Sequence, residues 1–292
     1  MMPFADRFGL CGQSDNILLV GSEPFGHLSQ ELMREYSLLY RTDSRLLVLI
    51  LLGLLLLLTW AGLWVGRLRK PYATATNEQS VAVASLLALQ GLLLAFSFSM
   101  ASARFEARRD ALVALAASFR TAVLRANLYP DPERAGLRRE LRSYLEARIA
   151  FGAAPYDSTI IKATLVHADT AINQVWHRVV RLSVDPQYAI ATDKMVDALN
   201  EVTANGVTRQ ASLRAHVPDA VVYMLFIIAL ITAFFSGYVS ANRARFDWMA
   251  VVTFHLMVTL VVFITLELDR PRRGIIRPTD VQEILVDQRH LF

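Results

Sequence analysis

Four stretches of the chain carry no Lys, Arg, Asp or Glu. They are residues 46–66, 79–103, 220–242 and 248–266, of 21, 25, 23 and 19 residues. A helix on a soluble core places charge on its wet face every few residues, so runs of this length point to lipid. A bilayer-spanning helix needs about 20 apolar residues, and all four qualify. The first is pure leucine from Leu54 to Leu58, while the second contains Ser80, Ser85, Gln90, Ser97 and Ser99. A span that polar suits packing in a bundle or lining water better than facing lipid. The pattern predicts an all-α polytopic membrane protein. It has four transmembrane helices and a cytoplasmic helical bundle inserted between the second and third.

No proline separates Pro71 from Pro130, and within the second span and beyond it the only glycine before that break is Gly91. The second span therefore continues as one helix from about Gln79 to Asn127. At about 1.5 Å per residue it reaches roughly 70 Å, against about 30 Å of hydrocarbon, so half of it projects from the membrane. The projecting half keeps an apolar stripe: Phe105, Leu112, Leu115, Phe119 and Val123. Tyr129-Pro130-Asp131-Pro132 breaks the helix, and Pro132 with Glu133 suits the first turn of the next. That helix carries Leu137, Leu141, Leu145 and Ile149 and stops near Gly152. A third runs from about Asp157 to Leu182. Its Ile161, Leu165, Ala168, Ile172, Val175, Val179 and Leu182 alternate spacings of four and three, the mark of a helix packing along a neighbour. A fourth spans about Gln187 to His216, and Pro218 opens the third membrane span. Ahead of the first span, Leu32, Met33, Tyr36 and Leu39 share one face of a short amphipathic helix over 29–40. The expected divisions are 1–44, an N-terminal segment; 45–103, transmembrane helices 1 and 2; 104–217, the bundle; 218–268, transmembrane helices 3 and 4; and 269–292, a C-terminal tail.

Charge fixes the orientation. The chain is +4 overall with 19% charged residues. Residues 104–217 hold 16 Lys+Arg and 12 Asp+Glu, and the remainder has 14 of each, so the whole excess lies in the bundle. Beside the spans, 13 arginines lie on the side of the bundle and both termini, against five basic residues on the other side. That bias makes the bundle side cytoplasmic, although Arg67, Arg69 and Lys70 dissent from it. The basic excess comes with no nucleic-acid-binding signature, so nucleic acid is not an expected partner. Asp6, Arg7 and Asp15 interrupt the N-terminus, and no signal peptide is expected there. Cys11 is the only cysteine, which excludes an intrachain disulfide.

Glycine-rich phosphate loops, nucleophile elbows and paired-histidine motifs are missing from the sequence. No enzymatic activity, cofactor or metal is expected. His255 lies midway along the fourth span, where an ionisable residue signals either function or an interhelical hydrogen bond; the second is the expectation. Gly62-x-x-x-Gly66 is a helix-contact motif. Gln90, Leu94, Ser97, Ala101, Arg104 and Arg108 share one face of the second helix. Two readings of that face stay open. Around an axis of five or so copies it would make a polar pore with an arginine ring that attracts anions. Within one chain it would let helices pack closely, with the arginines as cytoplasmic anchors.

Leu92-Leu93-Leu94-Ala95-Phe96-Ser97-Phe98-Ser99, followed by Arg104-Phe105 and Arg108-Arg109, resembles the bestrophin-like domain family of bacterial membrane proteins. So do Leu199-Asn200-Glu201 with Arg209, Arg214 and Pro218, and Leu266-Glu267-Leu268-Asp269-Arg270-Pro271-Arg272-Arg273-Gly274. The resemblance covers roughly Leu46 to Leu285. It implies a distant relation to bestrophins, which are pentameric ion channels with the second span lining the conduction path. The acidic calcium clasp of the animal channels is not matched, and the aromatic neck is only loosely echoed by Phe96 and Phe98. Asp269 closes the fourth span on the side where Arg104, Arg108 and Arg109 leave the second. Carboxylate–arginine pairs there would pin the bundle to the membrane helices, with Arg109, Asn200, Glu201, Arg209, Glu267 and Asp269 as the junction contacts. The expectation is an inner-membrane homo-oligomer passing small ions, with lipid and copies of itself as partners. The alternative is a membrane-anchored structural or signalling module whose bundle binds another protein.

Overall fold

The computed structural model describes residues 42–68, 77–154, 158–241, 247–270 and 279–292. The expected surface helix over 29–40 and the dissenting Arg69 and Lys70 lie outside them. Every regular element among the described residues is helical. The order is α1 (Ser44–Leu68), α2 (Asn77–Arg125), α3 (Glu133–Ala153), α4 (Ser158–Leu182), α5 (Ala189–Arg214), α6 (Asp219–Ser240), α7 (Trp248–Asp269) and α8 (Thr279–Asp287). Short 3-10 turns follow α2 at Ala126–Leu128, precede α5 at Pro186–Tyr188 and follow α8 at Gln288–Leu291. Four helices are long and apolar enough to cross a membrane: α1, α2, α6 and α7. At 49 residues, α2 extends about 74 Å at the standard rise, so it leaves the hydrocarbon as a continuous rod.

The membrane helices meet where side chains are smallest. α1 packs chiefly on α6. A Cβ at Gly62 would stand 2.1 Å from the Phe234 carbonyl oxygen, and one at Gly237 would stand 2.1 Å from that of Thr59. Gly66 faces Tyr238 O in the same way, at 2.7 Å. The two backbones therefore touch directly, which gains close dispersion contact where lipid supplies no hydrophobic drive between helices. Gly53 has nothing within 4 Å and plays no such part.

Beyond its apolar window, α2 packs along α5, while α3 packs along α4. Their core joins Leu112, Leu115, Phe119 and Val123 of α2 to Leu137, Leu141 and Leu145 of α3. Ala168, Ile172, Val175 and Val179 of α4 complete it with Met195, Leu199 and Val202 of α5. Of the heptad positions on α4, Leu165 through Leu182 are buried within the chain. The long seam is thus met by the protein's own helices.

Helix α8 was not foreseen in the tail. Nine residues are too few for a sustained period. It docks on α2 and α3, with Leu285 buried in the core. The terminal Phe292 ring lies 6.3 Å from that of Phe119 and 5.6 Å beneath the Arg138 guanidinium. Arg289 pairs with Glu146 through two bonds of 2.9 and 2.6 Å.

Candidate functional site

Helix α2 has two unlike faces within the membrane. Gln90, Ser97, Ala101 and Arg108 are 2%, 1%, 0% and 6% exposed, all covered by their own chain. Leu94 and Arg104, on the same stripe, are half-buried. Small and polar side chains form the face through which α2 approaches α6 and α7. The opposite face, with Ser85, Leu92, Phe96, Ser99 and Ala103, is exposed; Leu92 and Phe96 reach 53% and 58%. Beyond the membrane it continues through Glu106 and Asp110, also exposed. Both faces are uncharged in the span, so periodicity finds the stripe without telling inside from outside.

The stripe ends in a buried ionic hub. The Arg108 guanidinium donates to the carbonyls of Leu268 at 3.0 Å, Asp269 at 2.8 Å and Ala215 at 3.4 Å. It also lies 3.5 Å from the Asp269 carboxylate. Both Asp269 oxygens accept from the Val217 N–H at 3.1 Å. Arg270 donates to the Thr42 carbonyl at 2.8 Å, and the Ser44 hydroxyl donates to Glu267. One helix end thereby collects the start of α1, the exit of α2 and the α5–α6 connection. The local sequence makes this geometry available. Residues before proline avoid the α region, and Arg270 before Pro271 has φ −94 and ψ 103. Val217, before Pro218, has its N–H outside any helix, where it bonds the Asp269 carboxylate.

The His216 Nδ1 lies 4.0 Å from Asp269. Burial pushes its pKa below the usual histidine value, the Asp269 charge opposes this, and Arg108 and Arg104 add to the depression. Arg108 is accordingly the cation that balances Asp269, and His216 lies beside the pair as a neutral ring.

Of the expected junction residues, Arg108, Glu267 and Asp269 come together. Arg109 is exposed on α2, and Asn200 and Glu201 are exposed on α5. Arg209 is buried elsewhere, its guanidinium 5.7 Å from the Phe151 ring inside the bundle. His216, Val217, Arg270 and Ser44 join the hub without having been singled out. For Val217 and Arg270 the signal lay in the X-Pro steps they begin, while Ser44 and His216 carried none. His255 is buried on α7, 2.8 Å from Thr59 Oγ1 of α1. That hydroxyl already donates to Leu55 O at 2.8 Å, so it accepts from His255, which fixes the Nε2–H tautomer. Among the described residues, no group of three or more His, Cys, Asp or Glu is placed to hold a metal ion.

The sequence matches the Bestrophin-like domain over residues 50–280. No curated protein matches it. The fold is similar to crystal structures of a bacterial bestrophin homologue from Klebsiella pneumoniae in two substituted forms. These have TM-scores of 0.59 and 0.57 at 14% identity, covering 82% and 83% of this chain and 98% of theirs. It is also similar to the crystal structure of a membrane protein, with a TM-score of 0.52 at 15% identity over 82% of this chain and 97% of that one. At such identities the likeness concerns the fold. The family match spans well over half of the chain, from the first membrane helix to the start of α8, and this chain belongs to the Bestrophin-like domain family.

Proposed function

We propose that the protein is a homo-oligomeric ion channel of the inner membrane. Its bundle and termini lie in the cytoplasm, and copies meet around an axis on the uncovered face of α2. One observation carries the reading. The apolar window of α2 is only 11% buried in the chain, against 28% for α1 and 33% for α7. The span with the most polar residues is thus the one its own chain covers least. A single chain cannot enclose an aqueous path with this face, and several copies can. Family membership supports the same reading, since bestrophins are ion channels.

The pore lining moves accordingly. Gln90, Ser97, Ala101 and Arg108 serve inside the protomer, and Ser85, Leu92, Phe96, Ser99 and Ala103 are the proposed lining. The anion preference expected from an arginine ring is reduced, because Arg108 is committed to Asp269 and Arg104 alone of the stripe's two arginines remains half-exposed. Glu106 and Asp110 lie on the uncovered face instead, and acidic rings favour cations. The partner-binding alternative rested on the α4 heptad, which the chain fills itself.

Reconstituted protein should be an oligomer in mild detergent and should conduct small ions in liposomes. A reversal potential under a salt gradient reads the sign. Phe96→Ala should raise conductance, and neutralising Glu106 and Asp110 should weaken cation preference. A monomer, or silent liposomes from intact oligomer, would refute the channel.

A further inference from the structure

Four polar atoms lie deep among the membrane helices with nothing to bond. They are Gln90 Oε1 and Ser97 Oγ of α2, Thr232 Oγ1 of α6 and Thr259 Oγ1 of α7. Their residues are 2%, 1%, 1% and 3% exposed. A hydroxyl on a helix has a default partner in the carbonyl one turn back. Ser85, Thr59 and Thr265, in the same spans, take it: they donate to Val81, Leu55 and Val261 at 3.0, 2.8 and 2.8 Å. Ser97, Thr232 and Thr259 make no such bond. Leaving several polar groups unpaired in a core is among the costliest arrangements a membrane protein can adopt.

The four share a region as well as a chemistry. Arg108 bonds the carbonyls of Leu268 and Asp269, which levels α2 with α7. Counting from there at about 1.5 Å per residue, Ser97 lies about 16 Å up α2 and Thr259 about 14 Å up α7. Thr232 lies roughly 20 Å along α6, and Gln90 about 27 Å up α2. Thr259 shares the buried face of α7 with His255, Val258 and Val262. Thr232 shares that of α6 with Leu225, Ala229 and Ala233. All four therefore lie on the buried faces of the membrane helices, whose contacts run α1–α6, α1–α7, α2–α6 and α2–α7, with Ser97 and Thr259 at about one depth.

The donor set selects the ligand. It is neutral throughout, and the spans around it hold no charged side chain, so a bare ion would find no counter-charge. Hydroxyls both donate and accept, and buried water takes two to four such partners. We propose that each protomer binds ordered water at mid-membrane between α2 and α7, held by Ser97 and Thr259, with Thr232 and Gln90 extending the polar seam above them. The site lies inside one chain and stands independently of the channel reading.

A double-mutant cycle on the full-length protein in lipid nanodiscs tests it. Ser97→Ala and Thr259→Val keep the helix and the volume. If one water bridges the two hydroxyls, each single variant lowers the thermal midpoint by a few degrees. The double variant then falls no further than the worse single, because the shared water is lost once. Additive effects, or a rise in either single, overturn the proposal. High-resolution density of the assembled protein reads the same site directly. Water within hydrogen-bond distance of both Ser97 Oγ and Thr259 Oγ1 is expected, and a direct bond between them or a dry seam refutes it.

Discussion

Replacing Arg108 by Met tests whether the ionic hub holds the bundle to the membrane helices. The side chain keeps its length and loses its charge. Three carbonyls, on Leu268, Asp269 and Ala215, lose their donor. The greater effect falls on Asp269, whose side chain is 2% exposed and whose guanidinium partner stands 3.5 Å away. Removing one partner of a buried pair strands the other charge and costs about 3–5 kcal/mol. At about 2–4 °C per kcal/mol for a chain of this general size, the thermal midpoint should fall by roughly 6–20 °C. Asp269→Asn should cost less, about 1–2 kcal/mol, since an amide oxygen still accepts from Val217 N–H and the arginine keeps its carbonyls. The double variant should then be more stable than the sum of its parts, by roughly 1–3 kcal/mol, because neither charge remains stranded. The assay is thermal unfolding of the detergent-solubilised protein at one scan rate. A midpoint for Arg108→Met within about 2 °C of the parent, or strict additivity in the double variant, would show that the pair is not the junction's anchor.

Three further outcomes follow from neighbouring contacts. Gly237→Ala places a methyl 2.1 Å from Thr59 O, so α1 and α6 must part by more than an ångström. About 1–3 kcal/mol of stability should be lost, while Gly53→Ala leaves the midpoint unchanged or slightly raised. Thr59→Val removes the acceptor of His255 and should cost about 1–3 kcal/mol; adding His255→Leu should recover most of it, since the orphaned N–H disappears. His216 has a depressed pKa, so the unfolded chain binds its proton more tightly. Its contribution is full above the unfolded value near 6.5 and is lost as pH falls below that towards the folded value. The thermal midpoint should therefore drop between pH 7.5 and pH 5, and a His216→Gln variant should show a smaller drop over the same range.

The helical skeleton was written plainly in the chain because its signals are long and one-dimensional. Charge-free runs mark α1, α6 and α7 to within a few residues of their ends. The absence of proline from 72 to 129 announced α2 as a single rod, which the structure gives as Asn77–Arg125. The stops at Pro130 and Pro186 bracket α3, α4 and the start of α5. What periodicity cannot supply is a direction. The stripe through Gln90, Ser97 and Arg108 is visible as a face, yet only packing decides whether that face meets sister helices or water. The hub shows the same limit. Asp269 and Arg108 were legible as candidates for a pair, while Val217 and Ala215 act through backbone groups, which no side-chain pattern reveals. Helix α8 failed for a different reason. Its Val281, Ile284 and Leu285 span little more than one turn of apolar signal, and contacts with α2 and α3 hold it in place.

On the proposed channel reading, the division of labour on α2 has a consequence for gating. Gln90 and Ser97 are turned inward, where they serve cohesion, and the lining is left with Leu92 and Phe96 between the smaller Ser85, Ser99 and Ala103. Rings of such side chains form an apolar constriction, and apolar constrictions close to ions by expelling water before the walls touch. Opening then requires only a small dilation or a turn of α2. The outward rod carries that movement, because α2 continues unbroken from the constriction to the bundle core at Phe119 and Val123. Arg108, bonded to the end of α7 between those two regions, sits at the fulcrum. A substitution that loosens the hub should therefore change open probability before it changes single-channel conductance, whereas Phe96→Ala should change conductance directly. Opposite results for the two positions would place the constriction away from Phe96 and the pivot away from Arg108.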